Sequence, residues 1–217
     1  MTVRAYAIGD VHGQDAKLAH AHELIAADRR MAGAPEAPVI HVGDLVDRGP
    51  DSPAVIERLI AGRAAGAPWL ALCGNHDEMM ARALHPDLAS DEALAGWASP
   101  GMAGATTLAG YGIDIFADWT LDALREAALA AIPRAHLDFL AGLATHHRLG
   151  DLFFCHAGIR PGAGLDAQDP QDLIWIREPF LSSTADHGAL VIHGHSPAER
   201  AMHCGNRLNI DSGAGYD

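Results

Sequence analysis

Seven side chains able to bind a metal or move a proton stand in five short glycine-containing stretches of this chain. They are Asp10 and His12 in "GDVHG", Asp44 in "GDLVDRG", Asn75 and His76 in "GNHDE", His156 in "HAG" and His195 in "HGHSP". Mixed carboxylate, amide and imidazole donors suit a divalent first-row cation such as Mn, Fe or Zn rather than Ca, which takes oxygen ligands. No Cys stands among them, which argues against a structural zinc site. Six protein ligands are more than one open catalytic ion uses, and they fit two ions that share a carboxylate. Any one of Asp10, Asp44 or Asn75 alone reads as a helix cap or a turn residue. Their recurrence beside His12, His76, His156 and His195 puts the metal reading first.

The elements that must position these residues follow a repeated order. Short apolar runs at residues 3–8, 39–42 and 69–73 predict strands, and each runs into glycine and ligand-type residues. Residues 14–31 predict an amphipathic helix with Leu18, Ala21, Leu24 and Ile25 on one face. Ser52 and Pro53 predict an N-cap and a first helical position for a helix to about residue 65. A third helix is expected after "GNHD". Strand–helix alternation implies a largely parallel sheet covered by helices. Ligands collect at the carboxyl ends of such strands, so motifs roughly 30 residues apart in sequence should meet in space.

Residues 80–145 break the pattern. They are rich in Ala and Leu, with helices predicted at 121–131 and 134–143 and a Gly-rich loop at "SPGMAGATTLAGYG". This region reads as a helical insertion capping the site, within a single domain over 1–217. Strands resume at 151–158, 188–197 and 206–213, with a hairpin-like look that suggests a second sheet.

Composition narrows the partners. The chain has 217 residues, 49% of them hydrophobic, and a net charge of −13. An acidic surface without a Lys/Arg cluster argues against nucleic acid and anionic membranes as partners. No apolar run reaches the roughly 18 residues of a membrane span, and the N-terminus has no signal-peptide pattern. The Cys residues (Cys73, Cys155 and Cys204) are odd in number and widely spaced, so a reducing cytoplasm is the expected location. Of the 14 His, the residues His20, His22, His85, His136, His146, His147, His187 and His203 read as surface positions. Cys73 and Cys155 read as small buried residues, and Trp69, Trp97, Trp119 and Trp175 as packing.

The ordered series "GDVHG", "GDLVDRG", "GNHD", "HAG", "HGHSP" resembles the calcineurin-like metallophosphoesterases. Within them it looks like the bacterial and phage members of the phosphoprotein phosphatase branch. The resemblance spans residues 9–197. It implies an α/β layered fold of two sandwiched sheets flanked by helices, with a dimetal site at strand carboxyl ends. It implies two divalent ions, Mn²⁺ first and Fe or Zn as alternatives. Asp10 and His12 would bind one ion, Asn75, His156 and His195 the other, and Asp44 both. Such ions sit about 3.5–4 Å apart and lower the pKa of a bridging water. The resulting hydroxide would attack phosphorus in line with the leaving group. His76 would be no ligand but the general acid, oriented by Asp47. Arg48 would clamp phosphate, with Arg177 in "LIWIREPF" as a second candidate. Asp77 reads as structural, and Asp211 as a turn residue.

The expected substrate is a phosphoprotein, on Ser/Thr with dual specificity open, or a phosphorylated small molecule. Nucleases and cyclic-nucleotide phosphodiesterases of the superfamily end in "GHxH". Here Pro197 in "GHSP" offers no donor, which counts against them. The rival is the symmetrical diadenosine tetraphosphate hydrolase, whose relatives share "GNHD" and "RGPDS". Those relatives typically carry Ala where Asp47 stands and lack "HGHTP". A non-catalytic binding protein on this scaffold would have lost a ligand or His76, and none is lost. The resemblance also implies one or two further strands after "NRLNIDSG", so either the chain is shortened there or the sheet ends with an exposed edge. An exposed edge makes a dimer conceivable, and the oligomeric state stays open.

Overall fold

The computed structural model describes residues 4–99 and 103–216. Three short strands, β1 (Tyr6–Ile8), β2 (Val39–His41) and β3 (Trp69–Ala71), pair in parallel in that order. Helices α1 (Asp15–Met31) and α2 (Ser52–Ala64) make the crossovers. Residue 3 of the first predicted strand lies outside the described residues. Ser52 is not the cap expected of it. Asp51 holds that position, Ser52 is the first helical residue, and its buried Oγ accepts from the Asp47 N–H at 3.1 Å.

Five strands form the second sheet: β4 (His146–Leu149), β5 (Leu152–Cys155), β6 (Leu190–His193), β7 (Met202–His203) and β8 (Arg207–Asn209). Their order is β4-β5-β6-β8-β7. The hairpin reading holds only at the edges, where β4–β5 and β7–β8 are antiparallel. The central strands β5, β6 and β8 run parallel. The apolar runs LFFC and LVIH explain this, because a parallel central strand is buried on both faces. β8 is not the exposed edge expected of it, since β7 pairs with its outer side.

Side chains alternate along the strands and sort into layers. Ile40, Val42 and Leu72 of the first sheet meet Phe154 and Ile192 of the second in one buried cluster. Phe153, Cys155 and Val191 point the other way, onto Leu173 and Ile174 of α8 (Pro170–Trp175) and onto Phe180. The outer face of the first sheet packs on Leu18 of α1 and on Val55, Ile56 and Leu59 of α2. Two sandwiched sheets are thus flanked by helices on both sides.

Between β3 and β4 stand α3 (Asn75–Leu84), α4 (Asp91–Trp97), α5 (Gly104–Gly110), α6 (Leu121–Ala131) and α7 (Arg134–Ala141). α5 occupies part of the predicted Gly-rich loop, whose residues 100–102 lie outside the described ones. Burial of Thr107 and Leu108 overrides the weak helix propensity of its glycines. No helix among the described residues is long and apolar enough to cross a membrane.

Three of the histidines read as surface positions are not. His85 and His136 are buried, bonded to Asp138 and to Tyr111 and Glu57 respectively. His22 is half-buried and stacks on Trp69, ring centroids 4.0 Å apart. Its Nε2 lies 2.8 Å from Nε2 of the buried His41. His41 Nδ1 must donate to the Leu70 carbonyl at 2.9 Å, so its Nε2 accepts from His22 Nε2–H. That leaves His22 Nδ1 a buried nitrogen without a partner, which no added proton could satisfy. Burial pushes both imidazoles from 6.5 down to about 4. Between those values the unfolded chain binds protons that the folded chain does not. Stability should therefore fall as pH drops from 6.5 toward 4. The double variant His22→Phe/His41→Leu should show a shallower fall in urea unfolding than the wild type. An identical slope would remove this pair from the acid response.

Candidate active site

All seven ligand-type residues come together at strand carboxyl ends. Asp10 and His12 follow β1, Asp44 follows β2, and Asn75 and His76 form the first turn of α3 behind β3. His156 follows β5 and His195 follows β6. Six of the seven line a cavity of about 290 Å³ together with Arg48 and Arg177. His156 is fully buried, with Nε2 3.3 Å from Asp44 Oδ1 and 3.0 Å from Asn75 Oδ1.

The backbone is bent hard to achieve this. His12, Asp44, Asp47, Arg48 and His195 have φ of 45°, 49°, 71°, 67° and 63°. They are the non-glycine residues with positive φ among those described, and all belong to this site. Left-handed backbone costs a side-chain-bearing residue on the order of 1–3 kcal/mol, so the surrounding structure must hold it. The neighbouring glycines serve close approach. A Cβ at Gly74 would strike the Asp44 peptide and carboxylate, and one at Gly194 would strike the Asp10 carboxylate.

Asp44 is the centre. It lies within metal-sharing reach of two groups, one with His12 and His76 and one with His156 and His195. In each group the ligand atoms lie within 4.8 Å of one another. The first group contains His76 where the sequence reading placed Asp10. Asp10 lines the same cavity, and its carboxylate accepts the His195 N–H at 3.1 and 3.2 Å. His76 Nδ1 lies 2.7 Å from Asp47 Oδ2, which leaves Nε2 as its nitrogen facing the cavity.

The donor set fits divalent cations. His12 Nδ1 bonds the Val46 carbonyl at 2.9 Å, and His156 Nδ1 bonds the Val42 carbonyl at 3.1 Å. A carbonyl only accepts, so both rings carry a proton on Nδ1 and turn Nε2 toward Asp44, the nitrogen that would bind an ion once it is deprotonated. Such backing bonds set the tautomer and orientation of metal-binding His. The protein's own charges are unbalanced here. Burial raises the Asp10 carboxyl well above its usual range, an effect that Asp44 and Asp211 reinforce and His156 opposes. Burial also lowers His195 to about 3, with His156 adding to it. The His156 imidazole is held up to about 9, because Asp44 and Asp10 outweigh its burial. Asp44 is held well below the carboxylate range, where the adjoining imidazoles outweigh burial. Clustered acids with lone pairs turned inward are what a dication compensates.

His76 differs from the ligands. Burial lowers its pKa, but the Asp47 hydrogen bond and the charges of Asp44 and Asp47 outweigh this, so it is raised. Arg48 Nη2 stands 3.4 Å from His76 Nε2, and the Arg48 guanidinium lies 4.3 Å over the Tyr216 ring. Arg177 lines the cavity and donates to the His195 carbonyl at 3.3 Å. Asp77 is fully buried and accepts from Gly74 N and Leu45 N, both at 2.9 Å, which fastens α3 to the β2 loop. Asp211 does make the expected turn bond, to Gly213 N, but it is also buried on the cavity wall. Its context, a strand running into Asp and Gly, repeats the motif theme and could have flagged it. Trp97 was read as packing, yet it donates Nε1–H to Asp47. Tyr216 and Met79 carried no signal at all.

Comparison with known proteins bears on the family and the fold. The family model of the calcineurin-like phosphoesterases matches residues 3–214, and the chain belongs to that family. A protein provisionally assigned as a diadenosine tetraphosphatase is 19% identical, with a TM-score of 0.60 over 97% of this chain and 83% of that one. The cold-active protein-tyrosine phosphatase of a Shewanella species is 16% identical, with a TM-score of 0.53 over 99% and 74%. A protein serine/threonine phosphatase from Saccharomyces cerevisiae is 16% identical, with a TM-score of 0.56 over 95% and 66%. At these identities the likeness is one of fold. No curated protein matches the chain by sequence.

Because Asp44 belongs to both groups, its loss should reach both ions. After loading with Mn²⁺ and desalting, Asp44→Ala should lose most of both metal equivalents by elemental analysis. His12→Ala should lose about one. Equal losses in the two variants would contradict the shared carboxylate.

Proposed function

We propose that this chain is a metal-dependent phosphomonoesterase of the phosphoprotein phosphatase type, acting on phosphoserine and phosphothreonine, with phosphotyrosine open to it. The observation that carries this reading is the buried Asp47–His76 pair at 2.7 Å, whose free imidazole nitrogen adjoins Arg48 at the metal-ligand cavity. A phosphate monoester leaves as an alkoxide, and that leaving group needs a proton.

Asp10, His12 and Asp44 would hold one ion, and Asp44, Asn75, His156 and His195 the second. Two divalent ions there, Mn²⁺ for preference, would supply Lewis acidity at the phosphoryl oxygens and lower the pKa of the attacking water. The protein's own groups do the rest. Arg48 presents a planar fork of donors to the phosphoryl oxygens. Arg177, in the segment just after α8, is the second candidate clamp. His76 is held by Asp47 through Nδ1–H, so its Nε2 proton is the one aimed at the leaving oxygen. The Arg48 and His76 nitrogens, 3.4 Å apart, converge on one locus. A phosphate ester oxygen placed there would accept from both.

The cavity, at about 290 Å³, is at the small end of ligand sites, which run to about 1,000 Å³. It suits one phosphoryl group and the first atoms behind it, with the rest of a peptide lying outside. The three free thiols fit a reducing cytoplasm.

His76→Asn should lower kcat about 10²–10⁴-fold on a phosphopeptide while two metal equivalents remain. Loss of metal instead would make His76 a ligand, as its place beside His12 and Asp44 allows. Arg48→Ala should weaken inhibition by inorganic phosphate; an unchanged inhibition constant would take Arg48 out of the site. Rates on a phosphopeptide and on diadenosine tetraphosphate, measured side by side with Mn²⁺, should favour the phosphopeptide. The reverse order would move the protein to the dinucleotide hydrolases.

A further inference from the structure

We propose that the helical region between β3 and β4 completes the general acid, with Trp97 and Thr107 acting as positioning residues for the Asp47–His76 pair. The proposal rests on the reading of His76 as the acid.

Asp47 is fully buried, and protein donors satisfy both its oxygens. Oδ2 takes His76 Nδ1–H at 2.7 Å and Trp97 Nε1–H at 3.0 Å. Oδ1 takes the Thr107 hydroxyl at 2.7 Å, with Trp97 Nε1 also 3.3 Å away. The protons can be placed without conflict. Thr107 Oγ1 donates to Asp47 Oδ1, so it accepts from Asp47 N at 3.0 Å and from the Ser52 hydroxyl at 3.1 Å. Ser52 Oγ in turn also accepts from Asp47 N at 3.1 Å. Every side-chain partner of the Asp47 carboxylate is thus a donor, the environment of an anion.

Geometry gives these donors a role beyond packing. Asp47 has φ 71° and itself lies in no regular element. Its carboxylate can rotate about two bonds, and only the oxygen in line with His76 Nδ1 orients the imidazole. Trp97, on the same oxygen as His76, and Thr107, on the other oxygen, fix that rotation. Both are buried, at 1% and 0% exposure, and both come from helices α4 and α5 rather than from the sheets. None of the metal-ligand residues touches either one through a hydrogen bond among the described residues. The donors that hold the Asp47 carboxylate from α4 and α5 are thus distinct from the metal ligands, while the His76 backbone N–H is held by Asp44 at 3.0 Å.

The test is leaving-group dependence, which a merely structural role would not move. The wild type, His76→Asn, Trp97→Phe, Thr107→Val and Thr107→Ser are each loaded with Mn²⁺ and compared on p-nitrophenyl phosphate and phenyl phosphate. Phenol is the poorer leaving group, with a pKa near that of Tyr at about 10. His76→Asn should lose far more on phenyl phosphate than on p-nitrophenyl phosphate. Trp97→Phe and Thr107→Val should show the same selective loss, about 10-fold or more on phenyl phosphate, with metal content unchanged. Thr107→Ser, which keeps the hydroxyl, should restore the wild-type ratio. Equal losses on both substrates, or none, would overturn the proposal while leaving His76 as the acid. If His76→Asn itself shows no selective loss, the acid reading fails and this inference fails with it. Trp97 is a large core residue, so a folded, metal-loaded Thr107→Val carries the test alone where Trp97→Phe does not fold.

Discussion

The geometry of Asp44 is the constraint on which the rest of the structure depends. Its carbonyl accepts from Val11 N and His12 N at 3.0 and 2.8 Å, which fixes the loop after β1. Its carboxylate takes the His76 N–H at 3.0 Å, which fixes the first turn of α3. The same carboxylate lies 3.4 Å from His12 Nε2 and 3.3 Å from His156 Nε2, one on each sheet. One buried side chain thus sets the register of three strand ends and the approach of the two sheets. It does so from a left-handed backbone, with Gly74 so near that any side chain there would displace it. A buried carboxylate costs several kcal/mol without compensation. The surrounding imidazoles supply part of that compensation, and divalent ions bound in the cavity would supply the rest.

The sandwich follows from two kinds of alternation. Along β5 and β6 the side chains alternate between the inter-sheet core and the α8 face, so every residue is buried on one side or the other. That is why LFFC and LVIH are apolar up to the closing His193, and why the strands can lie parallel in the sheet centre. On the first sheet, apolar helix faces cover the outside, and the polar groups concentrate at strand ends. The site lies where covering elements run out and the backbone turns.

Much of this was legible because ligand chemistry is written in residue types. Asp, Asn and His after an apolar run and beside Gly are a local signal, and the parallel order of β1, β2 and β3 then brings them together. The strand–helix order of the first half and the presence of a second sheet were legible for the same reason. What was not legible depends on long-range packing. The topology β4-β5-β6-β8-β7 pairs strands whose order the sequence does not carry. α5 formed where glycines suggested a loop, because Leu108 and Thr107 find a buried face. His85, His136 and His22 looked like surface residues because their partners Asp138, Glu57 and His41 lie 53, 79 and 19 positions away. The local sequence holds no trace of such partners.

The same limit explains the two sides of Asp47. Its link to His76 spans 29 positions and joins two motifs, so recognising the motifs exposed it. Its links to Trp97 and Thr107 span 50 and 60 positions and reach into helices without a motif. The physical requirement on the two sides is nevertheless equal. A carboxylate at 0% exposure must have its remaining lone pairs satisfied, because a buried anion without partners is costly. The strand ends and the first turn of α3 provide the metal ligands, but they provide no side-chain donor for this carboxylate beyond His76. Helices α4 and α5 supply the others, Trp97 and Thr107, which ties a region outside the strand–glycine pattern to the proposed general acid.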